Sequence, residues 1–349
     1  GVFNMPKTMI AMSGGVDSSA AARLIKDMGH DICGAIMTLY GDNSKDIKDA
    51  EAVAQRLGMP FYVFDFHNEF KKYVVDDFVS SYCSALTPNP CVVCNKHIKF
   101  GAFLDRAREL GCDFVATGHY AKTEYDKERG RYIIKKADDL SKDQSYVLYS
   151  LTQDQLKSVI LPLGSYTKDR SREIAKNSGF ENAGRSDSQD ICFIPNGEYA
   201  SFIKEHCPNL SSYGNFVTKD GSVIAKHKGI INYTVGQRKG LGISAPAPYY
   251  VLSKDSESGD VILGSNDDLF SCYLTAKNVN FISIEALTEP MQVKAKIRYN
   301  QKEEADSLIT PLANGRVEVE FAKPQRAITP GQSVVFYDGD VVVGGGVIE

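Results

Sequence analysis

The chain of 349 residues lacks any apolar run approaching the roughly 20 residues that a membrane-spanning helix requires. Residues 1–7 contain no charged segment followed by an apolar stretch, so we expect neither membrane insertion nor secretion, and we predict a cytoplasmic protein. Low-complexity tracts and internal repeats are also missing. With 43% apolar and 24% charged residues, the composition is typical of a globular protein of two or three domains.

A strong charge of either sign is also lacking, since 40 basic and 44 acidic residues give a net charge of −4. Any contact with RNA would therefore come from local patches. The eight cysteines are too few for a disulfide-stapled scaffold of this length. We predict that Cys33, Cys112 and Cys272, which lie in or beside apolar segments, belong to the core. Cys83 and Cys207 receive no predicted role.

The apolar run Met9–Met12 stops at the sequence Ser-Gly-Gly-Val-Asp-Ser-Ser of residues 13–19, and an Ala/Leu/Ile-rich helical segment follows. Two adjacent glycines allow positive φ angles and let successive N–H groups point into one concavity. Ser18 and Ser19 lie where we expect a helix cap. This pattern predicts a phosphate-binding nest at a helix N-terminus, although a simple tight turn between strand and helix would share the two glycines.

Two familiar phosphate loops are excluded by missing residues. No Gly-Lys-Ser/Thr follows Gly15, as a Walker A loop requires, and the Gly-x-Gly-x-x-Gly of a dinucleotide turn is absent. The segment resembles instead the PP-loop of the N-type ATP pyrophosphatases, which split ATP between its α- and β-phosphates. That resemblance implies ATP and Mg²⁺, with Asp17 beside them. The predicted ATP-binding residues are Ala11, Met12, Ser13, Gly14, Gly15, Val16, Asp17, Ser18, Met37 and Gly118.

Strand-like and helix-like segments alternate from Thr8 to about Ser178, which predicts a doubly wound parallel sheet of Rossmann-like type. Past Cys207, short Val/Ile/Tyr-rich runs alternate with Gly, Pro, Asn and Asp turns, so we predict an all-β half. The expected domains are a PP-loop catalytic domain at 1–206, a small β-rich domain at 207–270 and a β-barrel at 271–349.

The segment 89–96 holds a Cys-x-x-Cys pair, Cys91 and Cys94, at the expected start of a helix. There the helix dipole and a nearby lysine are predicted to lower the thiol pKa values. Half of a zinc site completed by His97, a thioredoxin-like redox pair and chance spacing all remain open. A zinc ribbon is excluded because no second Cys-x-x-Cys follows.

Cys192 lies between the polar residues 187–190 and a short apolar strand, where it would by itself be interpreted as a buried cysteine. Together with the loop and Cys94, it makes the chain resemble the tRNA-specific 2-thiouridylase family. The matching segments are 13–19, 117–120, 142–146, 188–193, 234–238, 298–299 and 329–333.

The resemblance implies that ATP adenylates the C2 oxygen of the wobble uridine of a tRNA and that sulfur then displaces AMP. In the family's usual account the residue matching Cys192 carries a persulfide. A cysteine desulfurase or a sulfur-relay protein delivers it. The residue matching Cys94 releases the sulfur and leaves a Cys94–Cys192 disulfide. The best-known members have aspartate where this chain has Cys91. Cys91, Cys94 and Cys192 are therefore also candidate ligands of a [4Fe–4S] cluster that delivers sulfide, and both routes stay open.

The resemblance also implies as substrates the tRNAs for Lys, Glu and Gln, with a flipped wobble base. The implied tRNA-binding residues are Asn89, Pro90, Cys91, His119, Lys142, Asp143, Gln144, Arg298, Tyr299 and Gln332. Lys294, Lys296 and Arg298 alternate along a predicted strand, so they form either a phosphate-contacting stripe of the barrel or a solvated face.

Two other classes of function share part of the pattern. An amidotransferase-type PP-loop ligase would use the loop but would need neither Cys94 nor Cys192. A non-catalytic metal-binding or RNA-binding module would leave the ATP loop without a role. Substitution of either cysteine separates the ligase from the sulfurtransferase, and pyrophosphate release in the presence of tRNA separates both enzymes from the module.

Overall fold

The computed structural model describes residues 5–184, 191–194, 197–207, 213–301 and 305–349. The strands are Lys7–Met12 (β1), Asp31–Thr38 (β2), Phe61–Asp65 (β3), Phe114–Ala116 (β4), Lys122–Asp126 (β5), Arg131–Lys135 (β6), Val159–Ile160 (β7), Gly214–Val217 (β8), Val223–His227 (β9), Tyr250–Lys254 (β10), Val261–Gly264 (β11), Phe270–Phe281 (β12), Met291–Lys296 (β13), Ala305–Pro311 (β14), Val317–Arg326 (β15), Ser333–Asp338 (β16) and Val341–Ile348 (β17).

Seven helices are used below. They are Val16–Asp27 (α1), Ser44–Leu57 (α2), His67–Phe70 continuing through the π-helix Lys71–Val75 into Asp76–Cys83 (α3), Pro90–Cys94 continuing through the π-helix Asn95–Ala102 into Phe103–Glu109 (α4), Gln153–Leu156 (α5), Lys168–Asn177 (α6) and Tyr199–His206 (α7). Short 3-10 turns occur at Ser145–Leu148, Glu181–Gly184, Ile230–Asn232, Asp267–Leu269 and Ala313–Gly315.

The first sheet is parallel throughout and has the order β3-β2-β1-β4-β7. Its central strand β1 is apolar because helices cover both of its faces, and Met9 and Ile10 are fully buried. Three consecutive alanines of α1, residues 20–22, are also fully buried, so the helix axis can lie close to the sheet. The predicted doubly wound sheet is confirmed, and its strands direct their carboxyl ends toward residues 13–19 and 117–119.

The predicted helix Thr152–Val159 is wrong over its second half. The helix α5 is a single turn with a capping box between Thr152 and Gln155, and β7 follows it as a two-residue edge strand paired with Val115–Ala116. So short a strand depends on the neighbouring strand for its hydrogen bonds, and its own sequence carries no period. The predicted helix 144–150 is likewise only the 3-10 turn Ser145–Leu148.

Six strands close into an antiparallel barrel in the order β12-β15-β14-β13-β16-β17, because β12 also pairs with β17. Its interior contains fully buried Val319, Val334 and Phe336. The hairpin β5–β6, far earlier in the chain, extends this sheet through the pairing of Lys135 with Val341. The sequence predicted the hairpin but not its pairing with the barrel.

Strands β10-β11-β8-β9 form the third sheet, between the parallel sheet and the barrel along the chain. The predicted combination of a parallel α/β sheet, a small β-rich unit and a β-barrel is therefore confirmed. Among the described residues no helix is long and apolar enough to cross a membrane.

Candidate nucleotide and cysteine site

The loop between β1 and α1 has the predicted tight turn, with φ of 70° at Gly14. The predicted cap is wrong, however, because Gly15 is the N-cap and α1 begins at Val16. Ser18 and Ser19 lie inside the first turn, where their hydroxyls donate to the Gly15 carbonyl over 3.1 and 2.9 Å. The serines therefore stiffen the turn from within, and the backbone at Gly14 and Gly15 stays exposed toward a ligand.

Gly118 lies directly against the start of α1. A Cβ atom there would lie 2.8 Å from the Asp17 carbonyl carbon and 2.9 Å from the Ser18 nitrogen, so only glycine fits. Met37 is near the end of β2, one residue beyond Ile36, which pairs with Met12. The parallel sheet thus brings together the three separate segments that were predicted to bind ATP.

Asp17 is the centre of a buried polar network. The Lys168 ammonium contacts both carboxylate oxygens of Asp17 at 2.9 and 2.7 Å, and only 7% of the Lys168 side chain is exposed. The Tyr120 hydroxyl donates to Asp17 Oδ1 over 2.7 Å, and Ser171 Oγ lies 2.9 Å from the same phenol oxygen. Sequence analysis quoted Tyr120 within a motif without a role, and it missed Lys168 and Ser171 entirely.

Asn182 is another residue that sequence analysis missed. Its amide donates to the Gly14 carbonyl over 2.9 Å and contacts Ser19 Oγ at 3.0 Å. The side chain thereby holds the loop from the side opposite Gly118. No sequence signal marks Asn182, because its partners lie more than 160 positions earlier.

The two cysteines of the Cys-x-x-Cys pair differ sharply in exposure. Cys91 is exposed, whereas Cys94 is buried. Burial raises the pKa of the Cys94 thiol to about 12, against a smaller lowering by the Lys99 ammonium. The predicted lowering of the thiol pKa is therefore wrong for Cys94, because removal of water outweighs the charge of one lysine.

Cys192 is exposed, but surrounding protein atoms raise the pKa of its thiol as well, again opposed by Lys99. The next residue, Phe193, anchors this segment, with its ring 5.4 Å from each of the rings of Phe70, Phe78 and Phe202. Residues 187–190, which precede Cys192 in the matching motif, lie outside the described part of the chain.

The three cysteines come together. The charges of Cys91 and Cys192 both raise the pKa of Cys94, and all three thiols are unpaired. The predicted Cys94–Cys192 disulfide is thus not formed in this structure.

Lys99 connects the cysteines to the loop. Besides acting on Cys94 and Cys192, its charge helps burial to hold the pKa of His119 well below the ordinary value. The His119 ring is buried, with Nδ1 2.7 Å from Thr117 Oγ1, and it directly follows Gly118. Sequence analysis emphasised the lysine next to Cys94 in the chain and missed Lys99.

Zinc is not supported as the role of the cysteine pair. Within the described ranges, no three His, Cys, Asp or Glu side chains are arranged to hold a metal ion. His97, the suggested fourth type of ligand, stacks on Tyr73 with ring centroids 4.7 Å apart.

The predicted tRNA-binding residues come from the helical domain and the barrel. Gln332 donates to the carbonyls of Thr87 and Pro88 over 2.8 and 3.2 Å, directly before Asn89 and Pro90. This contact ties the barrel to the segment that carries Cys91.

On the other side of Cys91, the charges of Asp143 and Cys91 both raise the pKa of Tyr299. Asp143 accepts from the Ala137 N–H, and Gln144 accepts from the Tyr120 N–H. Lys142 is half-buried beside them.

The basic stripe is only partly as predicted. Lys294 and Lys296 share a face of β13, but Arg298 lies beyond the end of the strand, where it donates to the Arg326 carbonyl over 2.9 Å. Lys296 lies over the rings of Tyr146 and Tyr299, at 5.7 and 5.8 Å. One lysine of the stripe is thus directed toward Tyr299, and the other is solvated.

The fold and the loop together define an α/β protein of the PP-loop type that carries a pair of reactive-site cysteines and two appended β units. Three family models match in succession, described as a tRNA methyl transferase HUP domain at residues 6–196, a tRNA methyl transferase PRC-barrel domain at 200–265 and an aminomethyltransferase beta-barrel domain at 271–348.

Among curated relatives, the tRNA-specific 2-thiouridylase MnmA of Clostridioides difficile is 48% identical over 100% of this chain and 99% of its own length. MnmA 2 of Caldanaerobacter subterraneus is 50% identical over 98% of each chain. MnmA of Acetivibrio thermocellus is 48% identical over 98% of this chain and 99% of its own. The chain belongs to the tRNA-specific 2-thiouridylase family.

A solved structure, the U34-tRNA thiolase NcsA from Methanococcus maripaludis with its [4Fe-4S] cluster, is 21% identical over 59% of this chain and 66% of that chain, with a TM-score of 0.36. We draw nothing about the site from so distant a match.

Proposed function

We propose that this protein thiolates C2 of the wobble uridine, U34, of tRNA, converting ATP to AMP and pyrophosphate. The observation that carries the proposal is the convergence of Cys94 and Cys192 on Lys99, which also acts on His119 beside the ATP loop. The family models that match mention methyl transfer, but methyl transfer requires neither an ATP-splitting loop nor paired thiols. A ligase of the same superfamily would have no use for the cysteines.

ATP would bind with its phosphates against the N–H groups of the loop at residues 13–18, where the N-terminus of α1 favours negative charge. Adenylation turns the C2 oxygen of uridine into a good leaving group. Mg²⁺ would accompany the phosphates. Asp17 is a poor Mg²⁺ ligand in this arrangement, because both of its oxygens already contact Lys168.

Sulfur would arrive as a persulfide on Cys192, which is exposed to a donor protein such as a cysteine desulfurase or a sulfur relay. The Cys94 thiolate would attack the Cys192 sulfur, forming the Cys94–Cys192 disulfide and expelling hydrosulfide. Hydrosulfide would add to C2 and displace AMP. An external thiol would then reduce the disulfide and restore both cysteines.

The cluster route, with Cys91, Cys94 and Cys192 as ligands, fits these residues less well. The Cys94 thiol is buried with a pKa of about 12, and the described residues contain no three-ligand group suited to a metal ion. We therefore assign no step to a [4Fe–4S] cluster.

The tRNA would lie across the face where the barrel meets the Cys91 segment. We assign Asn89, Pro90 and Cys91 to the flipped base, and Lys142, Gln144 and Tyr299 to neighbouring nucleotides. The remaining proposed tRNA-binding residues are His119, Asp143, Arg298 and Gln332. His119 is buried, so its part would be to position the adjoining Gly118 segment. The proposed substrates are the tRNAs for Lys, Glu and Gln.

A single turnover tests the proposal. Iron-free protein loaded with persulfide is mixed with ATP, Mg²⁺ and unmodified tRNA, and thiolated tRNA is detected by its retardation in a mercury-containing gel. We expect a retarded band that Cys192→Ser and Cys94→Ser abolish and that Cys272→Ser, on barrel strand β12, leaves unchanged. A band that requires anaerobic iron and sulfide would replace the persulfide route by the cluster. Pyrophosphate release that survives both serine variants would favour the ligase.

A further inference from the structure

Asp17 presents an electrostatic problem in its own loop. The loop is built to receive phosphate groups, yet Asp17 places a negative charge in the first turn of α1. A carboxylate beside a polyphosphate repels it, and the repulsion grows where protein excludes water. The structure compensates this charge from outside the loop, through Lys168 at the first position of α6, 151 residues away.

The geometry of the compensation is specific. Lys168 Nζ lies 2.9 and 2.7 Å from the two oxygens of Asp17, and Tyr120 donates to one of them over 2.7 Å. The lysine side chain is 7% exposed and the Asp17 side chain 29%. A lysine this deeply buried is stable only beside an opposite charge.

The same contacts connect three elements around the phosphate position. Asp17 belongs to α1, Tyr120 follows β4, and Lys168 begins α6. Gly118 lets the Tyr120 segment approach α1 within backbone contact distance. The motif Thr117-Gly118-His119-Tyr120 therefore contributes both a close approach and a hydroxyl to the network.

We propose that Lys168 is a positioning residue of the ATP site, which with Tyr120 neutralises and fixes Asp17 so that the loop can accept a polyphosphate. Asp17 then serves as a structural anchor, and Mg²⁺ is held by the phosphates and by other groups. This inference rests on the proposed ATP-dependent function and adds residues to it that the PP-loop motif does not contain.

The test measures binding of the ATP analogue α,β-methylene-ATP to the full chain by calorimetry, with Mg²⁺ varied. Lys168→Met should weaken binding at least about tenfold, equivalent to about 1.4 kcal/mol, because Asp17 is left unneutralised. The double variant Asp17→Asn/Lys168→Met should bind within about threefold of wild type and keep the wild-type dependence on Mg²⁺, since both charges are gone. Lys176→Met, an exposed lysine on the same helix, is the control and should bind normally.

Each other result has a defined meaning. If the double variant binds as weakly as Lys168→Met, the lysine contacts phosphate directly and the inference fails. If the double variant loses its Mg²⁺ dependence, Asp17 is a metal ligand and the inference also fails. Should Lys168→Met not fold, the double variant and Lys168→Arg still decide, because the inference requires both to bind. Failure of the wild-type protein to bind the analogue would refute the proposed function itself.

Discussion

The buried thiol of Cys94 gives the most demanding prediction, because its environment and its proposed chemistry make opposite demands. Burial raises the pKa of Cys94 from the ordinary 9.0 to about 12. At pH 8 a thiol with a pKa of 9.0 is about one-tenth ionised, whereas a thiol with a pKa of 12 is ionised to about one part in ten thousand. The reactive thiolate of Cys94 should therefore be about a thousandfold scarcer than that of an unperturbed cysteine.

The assay is alkylation by iodoacetamide, followed peptide by peptide with mass spectrometry between pH 7 and about 10. In the folded protein Cys94 should react about a thousandfold more slowly than in the same protein unfolded in guanidinium chloride, and its rate should keep rising with pH across the whole range. Unfolding provides the internal control, because it removes the burial and leaves the peptide unchanged.

The lysine near Cys94 allows a matched pair of variants. Lys99→Met removes the cation that lowers the pKa of Cys94, so alkylation should slow further. Lys96→Met is the control, because this exposed lysine of the same helix acts on His97. If Cys94 in the folded protein reacted at pH 8 as fast as in the unfolded chain, the argument from burial would be refuted. Equal effects of the two lysine variants would remove Lys99 from the site.

Three further predictions concern how the loop and Cys192 are held. Gly118→Ala places a Cβ 2.8 Å from the Asp17 backbone and should weaken ATP binding about tenfold or more, measured by calorimetry; unchanged affinity would disprove the close approach. Asn182→Ala removes the bond to the Gly14 carbonyl and should lower unfolding free energy in urea by about 1 kcal/mol while weakening ATP binding; a change in neither would contradict its role. Phe193→Ala should cost about 3–5 kcal/mol in the same urea experiment, because its ring is almost fully buried, and should slow sulfur transfer from the adjoining cysteine; a loss below about 1 kcal/mol would contradict the anchoring.

The sequence predicted the parts of this protein whose signals are local. The strand β3 was predicted with the bounds that the structure has, and the PP-loop turn was recognised from seven consecutive residues. Strand alternation and turn residues were enough for the order of an α/β unit followed by β units. In each of these cases the information lies within a few neighbouring residues.

What could not be predicted depends on contacts between distant segments. The burial that raises the pKa of Cys94 comes from packing of other elements around α4, so the helix dipole alone gave the wrong direction. Lys168 appears in the sequence as an ordinary residue at a helix start, and only the fold reveals its contact with Asp17. The strand β7 was missed because two residues have no period to detect.

The pairing of the early hairpin with the barrel has a consequence for biosynthesis. Strand β6 emerges from the ribosome about two hundred residues before β17, its neighbour in the finished sheet. Until then the β6 edge has no partner strand from β17, and the carbonyl of Ile282, which receives the Arg131 guanidinium over 2.9 Å, has not been made. The α/β unit therefore cannot complete its surface during its own synthesis. We expect it to acquire protease resistance only after the barrel is released, as arrested nascent chains of increasing length would show.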